Sequence, residues 1–372
     1  MFIHTVQHGD SLYSISNSFN IPVEQLRSVN GLEVTTIVPG QAILIPLYQY
    51  TVLPGDTLSS IARKAFVPLD QLRAANPNVN PYLLQPGMQI TIPDISKYVA
   101  STLSFYVVRS PELDKALIND FAPYSTYISI FEYRFGMNGD IINELNDIPA
   151  IEVSWESGVN IDFEQIRGAD RDLYIGFLRL LKERLQSEGH VLTVAVPAKT
   201  GEDISWLAGY DYGGIGSVVD YMFIMAYDWH YPGSEPGPVA PINNVRSTIE
   251  FAINKVPRKK IILGVPLYGY DWSLPYESGS EVSAISNQDA IDTAMLYLSP
   301  IQYSEEVATP FFRYQDDQGQ VHEVWFEDVR SMSRKMQLVQ EYGLQGIGAW
   351  QLTLGFTAGP WVLTKFFTVR KV

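Results

Sequence analysis

Cysteine is absent from the 372 residues, so disulfides, thiol nucleophiles and thiolate metal sites are excluded, while the compartment stays open. Histidine is scarce, five in all and none at metal-ligand spacing, and neither a metal nor another cofactor is implied. No apolar run is long enough to cross a membrane. The N-terminal MFIHTVQHGD lacks the basic segment and apolar stretch of a secretory leader, so the chain is expected to stay where it is made or to reach its target by assembly or lysis. Positive charge is short as well. The formal net charge of −15 argues against nucleic acid and anionic membrane surfaces as partners. The deficit is uneven: residues 1–97 hold six acids and five bases, a net of −1, so −14 falls on the remainder and two different surfaces are joined in one chain.

What is present first is a repeat. TVQHGDSLYSIS at 5–16 returns as TVLPGDTLSSIA at 51–62, and QLRSVN at 25–30 as QLRAAN at 71–76, both at an offset of 46. PGQAILIP at 39–46 returns as PGMQITIP at 86–93, at an offset of 47. Each copy reads strand, helix, helix, strand, with Asp10 or Asp56 placed to cap the helix that follows. The two copies, 1–47 and 48–95, resemble the LysM module through their GD-[ST]-L, Asn and PG-x-x-[IL]-x-[IL]-P segments. That resemblance implies binding of glycans containing N-acetylglucosamine. The bland alternative is a small repeat used for oligomerisation, and the oligomeric state stays open.

After the segment 94–102, read as a linker, the texture changes. Apolar β-like runs alternate with amphipathic helical stretches: YISIFEY (127–133), GVNIDFE (158–164), VLTVAVP (191–197), YMFIMAY (221–227), IILGVPLYGY (261–270) and GIGAWQL (346–352). Near-continuous apolar strands separated by helices such as 170–188 and 329–341 predict parallel strands buried on both faces, hence an α/β fold of the (β/α)8 barrel type over 99–372. A segment of about 278–327, rich in acids, Gln and Ser and holding a hairpin-like PFFRYQDDQGQVHEVWF, reads as a small α+β insertion.

One strand contradicts its own burial. If Ile161 and Phe163 of GVNIDFE face one way, Asn160, Asp162 and Glu164 share the other. In such a barrel functional groups stand at the C-terminal strand ends, so this acidic stripe points at the mouth. SGVNIDFE resembles the glycoside hydrolase family 18 signature D-G-x-D-x-D-x-E, with Ser157 and Asn160 replacing its first two acids. MAYD, Met225 to Asp228, resembles that family's strand-six motif. GVPLYGY, with Tyr268, resembles its strand-seven motif, and Trp350 of GIGAWQL resembles the tryptophan flooring its sugar site. Together with two LysM modules, the arrangement is similar to germination-type, spore cortex-lytic glycosylases.

The resemblance implies a glycosidase in which Glu164 is the general acid and the substrate's own 2-acetamido carbonyl is the nucleophile, with retention of configuration. Asp162 would hold the acetamide N–H and stabilise the developing positive charge, Tyr227 would donate to the acetamide oxygen, and Asp228 would contact the sugar. Asn160, Met225, Trp350, Tyr268 and Trp272 complete the expected substrate-binding set. Asn160, standing where the family has an acid, is expected to shift the pH profile. Trp229 and Trp325, like Trp272, are either sugar platforms or packing, and His230 reads as a loop residue. The expected substrate is peptidoglycan of the spore cortex, with the protein at spore coat, cortex or cell wall. Chitin is the alternative polymer, and a non-catalytic wall-binding protein the alternative class. Glycan binding through the modules is expected to act as a tether, so a chain lacking 1–95 should still cleave short soluble fragments.

The strand count falls short. Eight βα units take roughly 31 residues each, yet Tyr127 and Gly158 are 31 apart, room for one unit. Even with IPAIEV (148–153) as a strand the count reaches seven. About 50 to 60 residues that a complete barrel needs between Phe135 and Gly158 are therefore expected to be absent, by the same spacing argument. A consecutive Cα pair there spaced well beyond ~3.8 Å would mark an excised segment. Unbroken spacing would mark a shortened barrel and favour the non-catalytic reading.

Overall fold

The computed structural model describes residues 1–136, 138, 140–142, 146–151 and 157–372. Both N-terminal repeats fold as strand, helix, helix, strand, with Phe2–Thr5 paired antiparallel to Ala42–Ile45 and Gln49–Thr51 to Gln89–Thr91. The repeated Asn explains itself. Asn30 donates to the Leu26 and Leu44 carbonyls and accepts from Leu44 N–H, pinning the second helix to the last strand, and Asn76 does the same with Leu72 and Thr91. The helix caps differ from expectation. Ser11 and Thr57 are the N-caps, each in a capping box with Ser14 or Ser60. Asp10 and Asp56 instead close the preceding turn, accepting from Gln7 and Leu53 N–H.

The modules do not hang on a tether. Ile3, Val29 and Leu44 share a core with Val329, Met332 and Met336 of the helix Val329–Tyr342. Val38, Ile43 and Ile45 join Ile291, Met295, Ile301 and Phe312. Phe2 stacks on Tyr50 between modules at 4.6 Å, and Phe66 meets Phe366 edge-on. This revises the expectation for a chain starting at residue 96. Exposing so many apolar side chains, each worth about 1.5–3 kcal/mol when fully buried, should lower the thermal midpoint by roughly 10 °C or leave the protein aggregated. An unchanged midpoint in calorimetry would show that the docking contributes nothing.

In the second part, seven parallel strands run side by side in the order Tyr127–Phe131, Tyr98–Val107, Gly346–Trp350, Ile261–Pro266, Tyr221–Met225, Val191–Pro197 and Gly158–Ile161. Phe367–Val369 also runs parallel to Tyr98–Val107, pairing with Tyr98, Val99 and Ala100. The first barrel strand thus includes residues read from sequence as linker. Inside, Phe105, Phe131, Phe223 and Trp350 fill the barrel, with ring centroids 4.8–5.2 Å apart for the Phe105–Phe223, Phe105–Trp350 and Phe131–Trp350 pairs. Gly264 is required here, because a Cβ would lie 2.5 Å from the Phe223 ring.

The barrel is nearly closed rather than closed. Among the described residues no strand of the barrel sheet lies between Tyr127–Phe131 and Gly158–Ile161, and these two do not pair; the short strands Arg134–Phe135 and Ile141–Ile142 pair only with each other, antiparallel. Ile148–Ile151, expected as a strand, is a helical turn. The spacing test falls partly on 137, 139, 143–145 and 152–156, outside the described residues. Between the two edges lies a cavity of about 490 Å³, lined by Ser129, Phe131, Glu132, Asn160, Asp162 and Thr193 among others. A single side-chain bond crosses it among the described contacts, Asn160 Nδ2 to Ser129 Oγ at 3.4 Å.

The insertion begins earlier than expected. Tyr268–Leu274 leaves the barrel after Pro266 and enters a separate antiparallel sheet with Val282–Ser286, Val321–Trp325, Thr309–Gln315 and Gln302–Ser304. The hairpin of Thr309–Gln315 and Val321–Trp325 forms as expected.

Candidate active site

The Gly158–Ile161 strand ends one residue before Asp162, and the alternation holds through the bend. Ile161 packs outward into the core, and Phe163 stacks on Phe177 of the helix Arg171–Ser187 at 5.6 Å. Asn160 turns inward, accepting from Thr193 Oγ1 at 2.7 Å. The stretch is braced by a residue sequence reasoning missed. Tyr210 donates its hydroxyl to the Phe163 carbonyl at 2.8 Å and receives the Ile166 N–H at 3.4 Å. Nothing local to Tyr210 announces this role, since it lies 47 residues away in the chain.

Asp162 is half-buried, and its Oδ1 is buried without a hydrogen-bond partner. Burial first, then the Glu164 and Glu132 charges, push its carboxyl up to about 6. Glu132 was not anticipated. It follows the strand Tyr127–Phe131 directly, the position that drew attention to Asp162, and that could have singled it out. Glu164 is exposed.

Tyr227 stands just beyond Tyr221–Met225. Burial, then the charges of Asp162, Asp228 and Glu164, hold its phenol well above the usual range, so it remains a proton donor. Asp228 adopts φ +61° and keeps surface toward solvent, while Tyr268 and Tyr270 donate to its Oδ1 at 2.6 and 3.1 Å. Desolvation by the surrounding protein raises its carboxyl, partly offset by these two bonds. Trp350, at the end of its strand, and Met225 are half-buried among the inner cluster and remain able to meet a ligand.

Two expected substrate contacts are corrected. Trp272 is fully buried, with Nε1 donating to the Ser234 carbonyl at 3.0 Å, so no face is open for a sugar. Tyr268 is buried too, and its hydroxyl is committed to Asp228, so it positions that carboxylate rather than touching ligand. Trp325 stacks on Phe311 at 4.4 Å and is packing on that face. His230 sits in a loop with Nδ1 on the Glu235 carbonyl. Among the described residues no group of three His, Cys, Asp or Glu could hold a metal, and no helix is long and apolar enough to cross a membrane.

A parallel α/β barrel carrying carboxylates and an aromatic side chain at the C-terminal strand ends has its candidate groups where barrel enzymes carry their active sites. Residues 143–355 match the model of glycosyl hydrolases family 18, and residues 4–46 and 50–93 each match the LysM domain. The chain belongs to glycosyl hydrolase family 18 and is a glycoside hydrolase with two N-terminal LysM domains; these domains make a glycan containing N-acetylglucosamine its ligand. It is 60% identical over 420 residues to the protein YdhD of Bacillus subtilis (strain 168), covering 100% of both chains. It is 32% identical over 426 residues to the cortical fragment-lytic enzyme of Bacillus anthracis, covering 99% of both. The crystal structure of the Bacillus cereus spore cortex-lytic enzyme SleL superposes with a TM-score of 0.87 at 28% identity, covering 99% of each chain.

Proposed function

We propose that this chain is a spore cortex peptidoglycan hydrolase, an N-acetylglucosaminidase that cleaves after N-acetylglucosamine by a substrate-assisted, retaining route. The observation that carries the reading is the convergence of Asp162, Glu164, Tyr227 and Asp228 at one barrel mouth, with Trp350, at the end of its strand, packed against the same cluster as Tyr227. The cortex-lytic names of the relatives support the choice of polymer and a spore cortex location. Glu164 protonates the glycosidic oxygen as the anomeric C–O bond breaks, and the acetamide carbonyl oxygen of the same sugar closes on the anomeric carbon. Asp162 accepts the acetamide N–H and offsets the oxazolinium charge, while Tyr227 donates to the carbonyl oxygen until closure. Water then opens the ring at the anomeric carbon and returns its proton to Glu164.

Digestion of purified cortex fragments, with chitin oligomers alongside, tests this. A new reducing-end N-acetylglucosamine from cortex supports the reading, and cleavage of chitin alone moves the substrate to chitin. The open edge and the exposed Glu164 favour a second reading, a wall-binding protein with a disabled barrel, and retention on both polymers without cleavage would establish it.

The raised Asp162 carboxyl gives a pH prediction of definite sign. Below about 6 the folded protein keeps this proton, so turnover should climb as pH rises through that value. Its elevation above the usual carboxylate value means that ionisation opposes folding: stability falls between about 4 and 6 and stays lower above. Asp162→Asn should therefore cut turnover yet raise stability above pH 6, on the order of 2 kcal/mol. Chemical denaturation at pH 4 and 7.5 checks this, and an equal effect at both values would contradict it.

A further inference from the structure

The two repeats are near copies in sequence but not in surroundings. The Pro39–Gly40 turn of the first is sealed. Ile301 N–H donates to the Pro39 carbonyl at 2.9 Å, and a Cβ on Gly40 would sit 1.7 Å from the Ile301 oxygen. Beside it Gln41 is 1% exposed, and Gln288 of the insertion reaches the Gly31 carbonyl. The matching Pro86–Gly87 turn of the second copy is exposed, and nothing lies within 4 Å of a Cβ built on Gly87.

The loop leading to that open turn is also one residue longer, which is where the repeat offset grows from 46 to 47. It carries Tyr82, 90% exposed and the most exposed large apolar side chain among the described residues, beside Leu83 at 64%. Three amide side chains, Asn78, Asn80 and Gln85, lie along the same exposed loop. An aromatic face suits the C–H face of a pyranose, and amides suit hydroxyl and acetamide groups. The corresponding exposed stretch of the first copy, residues 33–36, offers a glutamate, a valine and two threonines, with no aromatic and no amide.

We infer that the two modules have divided their work: the first is an internal brace of the hydrolase, and the 77–87 loop of the second, centred on Tyr82, is the surface that holds an N-acetylglucosamine-containing glycan. The division rests on the glycan reading of the modules, not on the cleavage chemistry. Because the second module is itself fixed through Phe2–Tyr50 and Phe66–Phe366 packing, glycan held there has a set position relative to the barrel.

Retention of the full chain on insoluble peptidoglycan and on insoluble chitin tests it by depletion from solution. Tyr82→Ala combined with Leu83→Ser should weaken retention about tenfold or more, as loss of an aromatic anchor does, while Tyr82→Phe keeps most of it. Val34→Ser and Tyr13→Ala in the first copy should stay within about twofold, since side chains off the contact patch carry little binding energy. Full retention by the Tyr82/Leu83 variant, or an equal loss from the first-copy variants, would overturn the division. Tyr82 is almost wholly exposed, so the variant is expected to fold, and circular dichroism confirms it. Cleavage is read separately with wild-type protein on soluble fragments. Its absence would remove the proposed chemistry and leave the retention result to decide the division alone.

Discussion

Replacing Glu164 by Gln is expected to lower turnover on cortex fragments at least ~10²-fold, the usual contribution of a general acid, with no change in fold or retention. The side chain is exposed beyond the end of the Gly158–Ile161 strand, so its amide isostere leaves packing untouched. An amide cannot release a proton to the leaving oxygen, and no other carboxyl follows Asp162 on this stretch until Asp170, which is held by Arg167. Substrates with an activated phenolic leaving group need little protonation, so they should lose much less. Initial rates on the two substrate types separate the roles. An unaltered rate on cortex fragments would remove Glu164 from the mechanism, and equal losses on both would mean that the variant disturbs binding or charge stabilisation instead.

The carboxylates were legible because strand alternation is a local rule, and four residues on either side of Asp162 suffice to apply it. The same rule failed at Tyr98–Val107, where Ser101, Thr102 and Ser104 interrupt the apolar run. They are buried by partners far away in sequence: Ser101 by Gln345, Thr102 by Tyr124 and Thr126, and Ser104 by Ala349 N–H. Polar strand positions satisfied by remote neighbours read as linker. Tyr268 and Trp272 were misplaced for a related reason. The apolar stretch Ile261 to Tyr270 gives no local sign that the chain leaves the barrel at Leu267, whose N–H turns to the Trp350 carbonyl. The repeats announced their fold fully, yet not their docking, because burial of Val29 or Leu44 against Met332 is identical in sequence pattern to burial within the module.

Supplying the lacking barrel segment should produce the second large effect, a protein both more stable and faster. The alignments with YdhD and the Bacillus anthracis enzyme run over 420 and 426 positions, 48 and 54 more than the 372 residues present here. The match to the family 18 model begins only at residue 143, after the first two barrel strands. We infer that the unmatched positions fall between Phe131 and Gly158, where the edges of two strands face a cavity of about 490 Å³. Two strands flanking an absent one would stand about 9.6 Å apart, twice the usual spacing, a gap that a long Asn160–Ser129 side-chain bond spans but does not fill. Open edges leave backbone donors and acceptors unpaired, and Asp162 keeps its unpartnered Oδ1 beside the same cavity. Grafting the unmatched YdhD residues between Phe131 and Gly158 should pair both edges and raise the thermal midpoint by roughly 10 °C. It should also raise turnover at least tenfold, since small displacements of catalytic groups carry large rate penalties. Calorimetry and the cortex-fragment assay read the two effects independently. A graft that folds yet leaves both values at those of the parent would mean that seven strands are this protein's finished barrel and that its cleft works with one side open.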